Sequence, residues 1–115
     1  MEDTKDNEMN FHKVKLDYLA KYNEIFKRKS LKSTIRLTIL LTLFLNNKMT
    51  FSNLAKVIGI SKGSMKNNLD VLEEDGLIQS REVFTVKGPR LIYEITNEGK
   101  NVYLEISRLL SSGGK

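Results

Sequence analysis

The segment from Thr50 to Gly76 constrains the fold of this 115-residue chain more than any other part of it. Two runs of helical periodicity are separated by Gly59, which suits the left-handed position that ends a helix, and by Ser61, which is a good N-cap for the next helix. The apolar residues of the second run recur at i, i+4 and i+7, as they do on the buried face of a helix. The segment therefore predicts two short helices joined by a tight turn. Those apolar residues are Met65, Leu69 and Leu72.

A β-hairpin pattern follows directly after Gly76. Leu91, Tyr93 and Ile95 alternate with Ile92 and Glu94, a pattern that is typical of a half-buried strand. Lys87-Gly88-Pro89-Arg90 contains two turn-forming residues and is the predicted tip of the hairpin. The predicted strands are therefore Leu77–Thr85 and Arg90–Thr96, and Lys48-Met49 is a candidate for a short third strand.

Helices are also predicted on both sides of this unit. Apolar residues recur at spacings of three and four from Phe11 to Lys29, Ser33 can cap a central helix that ends at Asn47, and Thr96 can cap a last helix. The predicted fold class is α+β, mainly α: a helix–turn–helix with a three-helix core and a β-hairpin wing, plus additional N- and C-terminal helices. We expect residues 1–10 to be disordered, residues 11–110 to form a single domain and residues 111–115 to form a flexible tail.

The composition and charge of the chain limit the class of protein and the kind of partner that we expect. A hydrophobic content of 40% and a charged content of 29% are those of a globular chain, and a net charge of +5 suits a polyanionic partner. The most apolar run, residues 35–45, is shorter than the roughly 20 residues that span a bilayer, and the polar, acidic first ten residues do not resemble a signal peptide. We therefore expect a cytoplasmic protein that is not bound to a membrane.

Candidate catalytic and metal-binding residues are scarce. The chain has no Cys, which excludes disulfides and thiolate metal sites, and its single His, His12, lies near the terminus. We find no pairing of His with a carboxylate, no nucleophile with an adjacent base and no Gly-rich phosphate loop. We therefore predict that the protein is not an enzyme and binds no metal or cofactor.

The second helix of the predicted helix–turn–helix, residues 62–75, is here called the reading helix. Its outward face carries polar and basic residues, and its first turn is the part that points deepest into a DNA major groove in this docking mode. An Asn can bond adenine through two edges and a Lys can donate to guanine, so Asn67 and Lys66 are the candidates for sequence reading. Gly63 allows a close backbone approach to phosphate. The candidate DNA contacts on this helix are Lys62, Gly63, Ser64, Lys66, Asn67 and Asn68.

Charge along the reading helix predicts its polarity on DNA. The basic residues lie early, whereas the acidic residues lie late, where they would repel phosphate. The C-terminal end must then point away from DNA or meet basic partners within the domain. The acidic residues are Asp70, Glu73, Glu74 and Asp75.

The wing, residues 81–90, would lie along a neighbouring minor groove or the DNA backbone. Lys87 and Arg90 at its tip, with Arg81 behind them, are the candidate phosphate contacts. Such contacts position a protein and increase the salt dependence of binding, but they carry little sequence information.

An ordered set of motifs runs through most of the chain, from about Ser33 to Leu110, and resembles the winged-helix transcriptional regulators of the broad MarR/ArsR type. This resemblance implies a homodimer that binds an operator in double-stranded DNA and represses or activates transcription. Family members often place a basic residue or His where this chain has Asn68, which puts a phosphate contact there in doubt, and the family's Arg at position 36 is more often structural. The motifs are Arg36-Leu37-Thr38-Ile39-Leu40, Phe51-x-x-Leu54, Gly-Ile-Ser-Lys-Gly-Ser at 59–64, Leu69-x-x-Leu72-Glu73-Glu74-x-Gly76-Leu77-Ile78, Phe84 with Gly88-Pro89-Arg90, and Tyr93-x-Ile95-Thr96-x-x-Gly99.

Dimerisation is expected through the N- and C-terminal helices, because dimers of helix–turn–helix units match two half-sites about one helical turn apart. Plain packing within one chain is an equally good interpretation for each candidate residue. Two other functions also stay open: a nonspecific architectural DNA binder and a winged helix that docks on protein. The dimer candidates are Phe11, Tyr18, Tyr22, Phe26, Tyr103, Ile106 and Leu110.

Overall fold

The computed structural model describes residues 27–113 together with Ala20, Glu24 and Ile25. In this part of the chain, helices pack against one face of a small sheet in the arrangement of a winged helix, which confirms the predicted fold class. The helices are α1 (Thr34–Asn46), α2 (Phe51–Ile58), α3 (Lys62–Glu74) and α4 (Asn97–Gly113), with a 3-10 turn at Lys29–Leu31; the strands are β1 (Lys48–Thr50), β2 (Ile78–Thr85) and β3 (Gly88–Ile95).

The predicted domain limits, residues 11 and 110, can be compared with the structure at the C-terminal end but not at the N-terminal end. The predicted disordered segment, residues 1–10, and most of the predicted helix from Phe11 to Lys29 lie outside the described residues. At the other end, α4 continues to Gly113 and so includes the first three residues of the segment predicted as a tail.

Side-chain caps begin the helices at the predicted residues. The hydroxyl oxygens of Ser33, Thr50, Ser61 and Thr96 each accept a hydrogen bond from the backbone N–H three residues ahead, at 3.0–3.3 Å. Each bond satisfies one of the N–H groups that a helix leaves unpaired at its start. Gly59 ends α2 at a φ of +79°, the left-handed conformation predicted for it.

The sheet is antiparallel with the strand order β1-β3-β2, and β1 confirms the predicted third strand. The predicted hairpin tip, residues 87–90, was wrong: the observed turn begins one residue earlier and ends three residues earlier. Thr85 pairs with Gly88, so the turn is Val86-Lys87, and Pro89 and Arg90 belong to β3. Proline is tolerated in that strand because β1 pairs only with residues 92–94 and does not extend to Pro89.

A single apolar core lies between the helices and the sheet. Met65, Leu69 and Leu72 are completely buried, as the spacing of the reading helix predicted. Tyr93 from the central strand is 1% exposed and packs in the same cluster. This core holds α3 along one side, so that its opposite side faces outward.

Candidate nucleic-acid interface

The reading helix, α3, presents its polar face to solvent. Lys62, Gly63, Lys66 and Asn67 are exposed, whereas Ser64 is half-buried. Within the described part of the chain, the side chains of Lys62 and Asn67 make no hydrogen bond or ion pair. These two groups are therefore available to an external partner, beside the positive end of the helix dipole.

Lys66 lies on the same face but has a partner in the chain. Its Nζ atom is 2.7 Å from Oδ1 of Asp70, one helical turn later. This hydrogen bond is the main reason that the pKa of Lys66 lies above its ordinary value, and the hydroxyl of Tyr93 adds to the shift. If Lys66 contacts DNA, its ammonium group must therefore either leave Asp70 or bond to both partners at once.

Asn68 is bound within the domain at both ends of its amide. Its Oδ1 atom accepts from Nη1 of Arg36 at 3.0 Å, and its Nδ2 atom donates to the carbonyl oxygen of Ser64 at 2.9 Å. Arg36 also donates to the carbonyl oxygens of Ser30 and Lys29, at 2.7 and 3.2 Å. This geometry gives Arg36 the structural role expected for it and gives Asn68 a role in positioning the first turns of α3.

The acidic end of the reading helix meets a basic partner. Nη1 of Arg28 lies 3.0 Å from Oδ2 of Asp75, which also accepts a hydrogen bond from the hydroxyl of Ser30 at 2.5 Å. The other guanidinium nitrogen of Arg28 bonds to Glu98 at the start of α4. Partial burial lowers the pKa of Arg28, but the bonds to Glu98 and Asp75 outweigh burial and raise it overall. Asp75 is thus compensated by a basic residue within the domain, one of the two arrangements that the charge pattern required.

The root of the wing is fastened to the reading helix. Oε2 of Glu73 accepts hydrogen bonds from both the backbone N–H and the hydroxyl of Ser80, at 3.0 and 2.7 Å. These bonds join the last turn of α3 to β2, so the helix and the hairpin form one unit.

The predicted wing cations are all exposed. Lys87 is in the two-residue turn, and Arg90 follows it in β3. Arg81 lies further back, with its Nε atom 3.7 Å from Oε1 of Glu94. The structure thus brings basic side chains to two places, the start of α3 and the end of the wing.

The dimer candidates divide into different environments. Phe11, Tyr18, Tyr22 and Phe26 lie outside the described residues. Ile106 is buried in the core, and the ring of Tyr103 packs on that of Phe44 with centroids 4.2 Å apart. Leu110 is 59% exposed. Among the described candidates, Leu110 is therefore the one whose side chain is largely exposed.

Phe84 and Val86, two apolar residues on the wing, were not among the predicted site residues, although the structure exposes both. Phe84 occurs in the motif set above, and its position two residues before the turn was the available signal.

No helix of the described residues is long and apolar enough to cross a membrane. The same part of the chain contains no cluster of side chains suited to a metal ion.

The chain is similar in sequence and in fold to known proteins. Residues 35–112 match the model of a family described as the winged helix DNA-binding domain. A transcriptional regulator homologue from Pyrococcus horikoshii OT3 is 33% identical, with a TM-score of 0.67 over 81% of this chain and 89% of that one. Among proteins with curated descriptions, none matches significantly.

Two further solved structures share the fold at lower identity. A MarR-family regulator from Enterococcus faecalis V583 is 24% identical, with a TM-score of 0.70 over 84% of each chain. The MepR protein of S. aureus, solved in complex with DNA, is 14% identical, with a TM-score of 0.68 over 93% of this chain and 86% of that one. The fold is therefore that of MarR-type winged helices.

Proposed function

The chain belongs to the family of winged helix DNA-binding domains, and we propose that it regulates transcription by binding a specific operator in double-stranded DNA. One observation carries this proposal. The first turns of α3 expose Lys62, Gly63 and Asn67, while the opposite side of the helix is completely buried. A helix held in this way can enter a major groove without uncovering its own core.

The proposed roles follow from the position of each group on α3. Lys62 and Ser64 lie in the first turn and would contact phosphate, with the helix dipole adding to the attraction. Gly63 has open space around its α-carbon, so the backbone can come close to DNA there. Asn67 and Lys66 would bond base edges, each worth about 1–3 kcal/mol of discrimination.

Asn68 has a different proposed role, because Arg36 and Ser64 already occupy its amide. It would position the first turns of α3 rather than touch DNA. The compensated acid at Asp75 supports docking with the N-terminus of α3 toward DNA and its C-terminus away. The S. aureus protein of the same fold was solved on DNA, which supports the general mode of binding.

The basic residues of the wing would contribute contacts that do not depend on sequence. Lys87 and Arg90 would meet phosphate beside the reading helix, and Arg81 would do so if it leaves Glu94. Lysine and arginine contacts of this kind release counterions, so they make the affinity fall with salt.

We further propose that two copies bind together through the terminal helices. Leu104 and Leu110 on α4 are 45% and 59% exposed, and a second copy would cover them. Light scattering should then show a dimer at micromolar concentration, and Leu110→Asp should weaken it. A monomer in the wild-type protein would contradict this part of the proposal.

Selection of bound fragments from a random pool of duplexes tests the function directly. We expect a recurring sequence, and we expect Asn67→Ala to bind the pool as tightly as the wild type while losing the sequence preference. Lys87→Ala should weaken binding to every duplex and lower the salt slope by about one. Lys48→Ala removes an exposed lysine from the edge strand β1 and should change neither quantity.

Three outcomes would contradict the proposal. Equal affinity for all sequences would indicate an architectural DNA binder. A sequence preference that survives changes at Lys62, Lys66 and Asn67 would show that α3 is not the reading surface. No complex with the pool, even at low salt, would favour a winged helix that docks on protein.

A further inference from the structure

Two apolar side chains stand exposed at the end of the wing. Val86 in the turn is fully exposed and Phe84 in β2 is 81% exposed, more than any other large apolar residue of the described part of the chain. Burying a side chain such as Phe stabilises a protein, so leaving it in water forgoes that stabilisation. Adjacent exposed apolar residues often mark a surface that meets a partner.

The strand register shows which side of the hairpin Phe84 occupies. Alternate residues of a strand share a face, and Phe84 shares its face with Ile78 and Ser80. Ile78 is buried in the core, and Ser80 bonds to Glu73 of the reading helix. Phe84 is therefore on the side of the wing that faces α3.

Opposite Phe84, the register places Pro89, and the exposed Leu91 follows on the same face. Apolar residues thus continue from the core toward the tip. Glu82 is the one acidic residue on this face beyond the root.

The length of the wing is comparable with the spacing of DNA grooves. Phe84 is four residues beyond Ser80, which corresponds to about 13 Å along a strand. Adjacent major and minor grooves are separated by about half a helical turn, or about 17 Å. With α3 in the major groove, Phe84 and Val86 would arrive at the neighbouring minor groove.

The charge around the tip favours a polyanion over an apolar protein surface. Lys87 directly follows Val86 in the turn, and Arg90 lies opposite Val83, one residue before Phe84. Both cations are exposed. An apolar tip bordered by cations is suited to a groove whose walls are deoxyribose and whose rims are phosphate.

We propose that Phe84 and Val86 enter the minor groove beside the half-site and pack against deoxyribose, while Lys87 and Arg90 hold the adjacent phosphates. This inference rests on the proposed function. The two apolar side chains offer no hydrogen bonds to bases, so the affinity depends on groove width and on how easily the flanking DNA deforms. Phe84 and Val86 thereby determine specificity at positions that α3 does not reach.

Truncation separates an apolar contact from a charge contact. Phe84→Ala should lower the affinity for a random-sequence duplex pool about tenfold, because a Phe contact of about 1.4 kcal/mol is lost. The salt slope should stay unchanged, because no cation is removed. Leu45→Ala is the control, since Leu45 is 71% exposed at the end of α1, away from the wing.

A fluorescent substitution reports the contact itself. The chain has no Trp, so Phe84→Trp introduces a single emitter at the wing. Its emission should change when the duplex pool is added, whereas the emission of Leu45→Trp should not. Loading A·T-rich duplex with a minor-groove ligand should abolish the change.

The outcomes distinguish this inference from the function on which it rests. Unchanged affinity in Phe84→Ala and constant emission in Phe84→Trp would overturn the inference, and the proposed function would stand if Lys87→Ala still weakened binding. A smaller assembly in light scattering of Phe84→Ala would show that the tip contacts a second copy, which also overturns it. A wild-type protein that binds no duplex would overturn both.

Discussion

The guanidinium of Arg36 donates from Nη1 to Oδ1 of Asn68, 3.0 Å away, and so joins the central helix α1 to the reading helix α3. The Nδ2 atom of Asn68 in turn donates a hydrogen bond to the carbonyl oxygen of Ser64, one helical turn earlier. Because Ser64 lies among the candidate DNA contacts, the core helix controls where the first turns of α3 sit. Positioning of this kind keeps the ordering cost of the DNA-binding face low.

Arg36→Lys should lower the free energy of unfolding by about 1–3 kcal/mol, because one ammonium cannot replace hydrogen bonds that leave a guanidinium in several directions. Urea denaturation measures the change. Arg108→Lys is the matched control, since Arg108 is exposed and its pair with Glu105 is of the surface type that contributes little. Equal losses in the two variants would show that the bonds of Arg36 have no special weight.

Glu73→Ala should loosen the wing from the reading helix. Its Oε2 atom accepts two hydrogen bonds from Ser80, so the expected loss in unfolding free energy is about 1–3 kcal/mol. Hydrogen exchange at the amide of Ser80 should accelerate. Glu74→Ala changes an exposed neighbour and serves as the control; similar exchange rates in both variants would argue against the link.

Substitution of two glycines by alanine should change the unfolding free energy in opposite directions. A β-carbon at Gly99 would collide with the carbonyl oxygen of Leu77 and lie 2.7 Å from Cγ1 of Ile95. Gly99→Ala should therefore lower the unfolding free energy by about 1–3 kcal/mol, as overpacking does.

Gly63→Ala meets nothing within 4 Å and lies in a helix, so it should raise the unfolding free energy by about 0.5–1 kcal/mol. We expect this variant to bind DNA more weakly, because the added methyl group lies on the DNA-facing side. Thermal unfolding and a duplex titration measure the two effects. Unchanged DNA affinity would remove Gly63 from the proposed interface.

Alkaline pH should destabilise the protein through Tyr93. Burial raises the pKa of this phenol, so its folded pKa lies above the unfolded value of about 10. The resulting stability is fully present below the unfolded value and is lost as the pH rises through the folded pKa. The unfolding free energy of Tyr93→Phe, measured from neutral to alkaline pH, should fall less steeply than that of the wild type. Identical slopes would show that Tyr93 is not the group responsible.

The sequence by itself determined the order of the elements and the beginnings of the helices. Ser33, Thr50, Ser61 and Thr96 cap the helices where the pattern predicted, and the buried stripe of α3 matches its spacing. These features are local: each cap bond joins residues three apart, and helical periodicity depends only on distance along the chain. The outward face of α3 followed from the same periodicity.

Tertiary structure decided which partners the side chains of the candidate site have. Asn68 and Arg36 are 32 positions apart, and Asp75 and Arg28 are 47 positions apart, so only packing could bring them together. Pro89 indicated a turn, yet the length of β1 allowed it to remain in a strand. Phe84 continues the alternating pattern of its strand but lies beyond the last helix that could cover it. Burial depends on what lies opposite a residue in space, and sequence spacing does not carry that information.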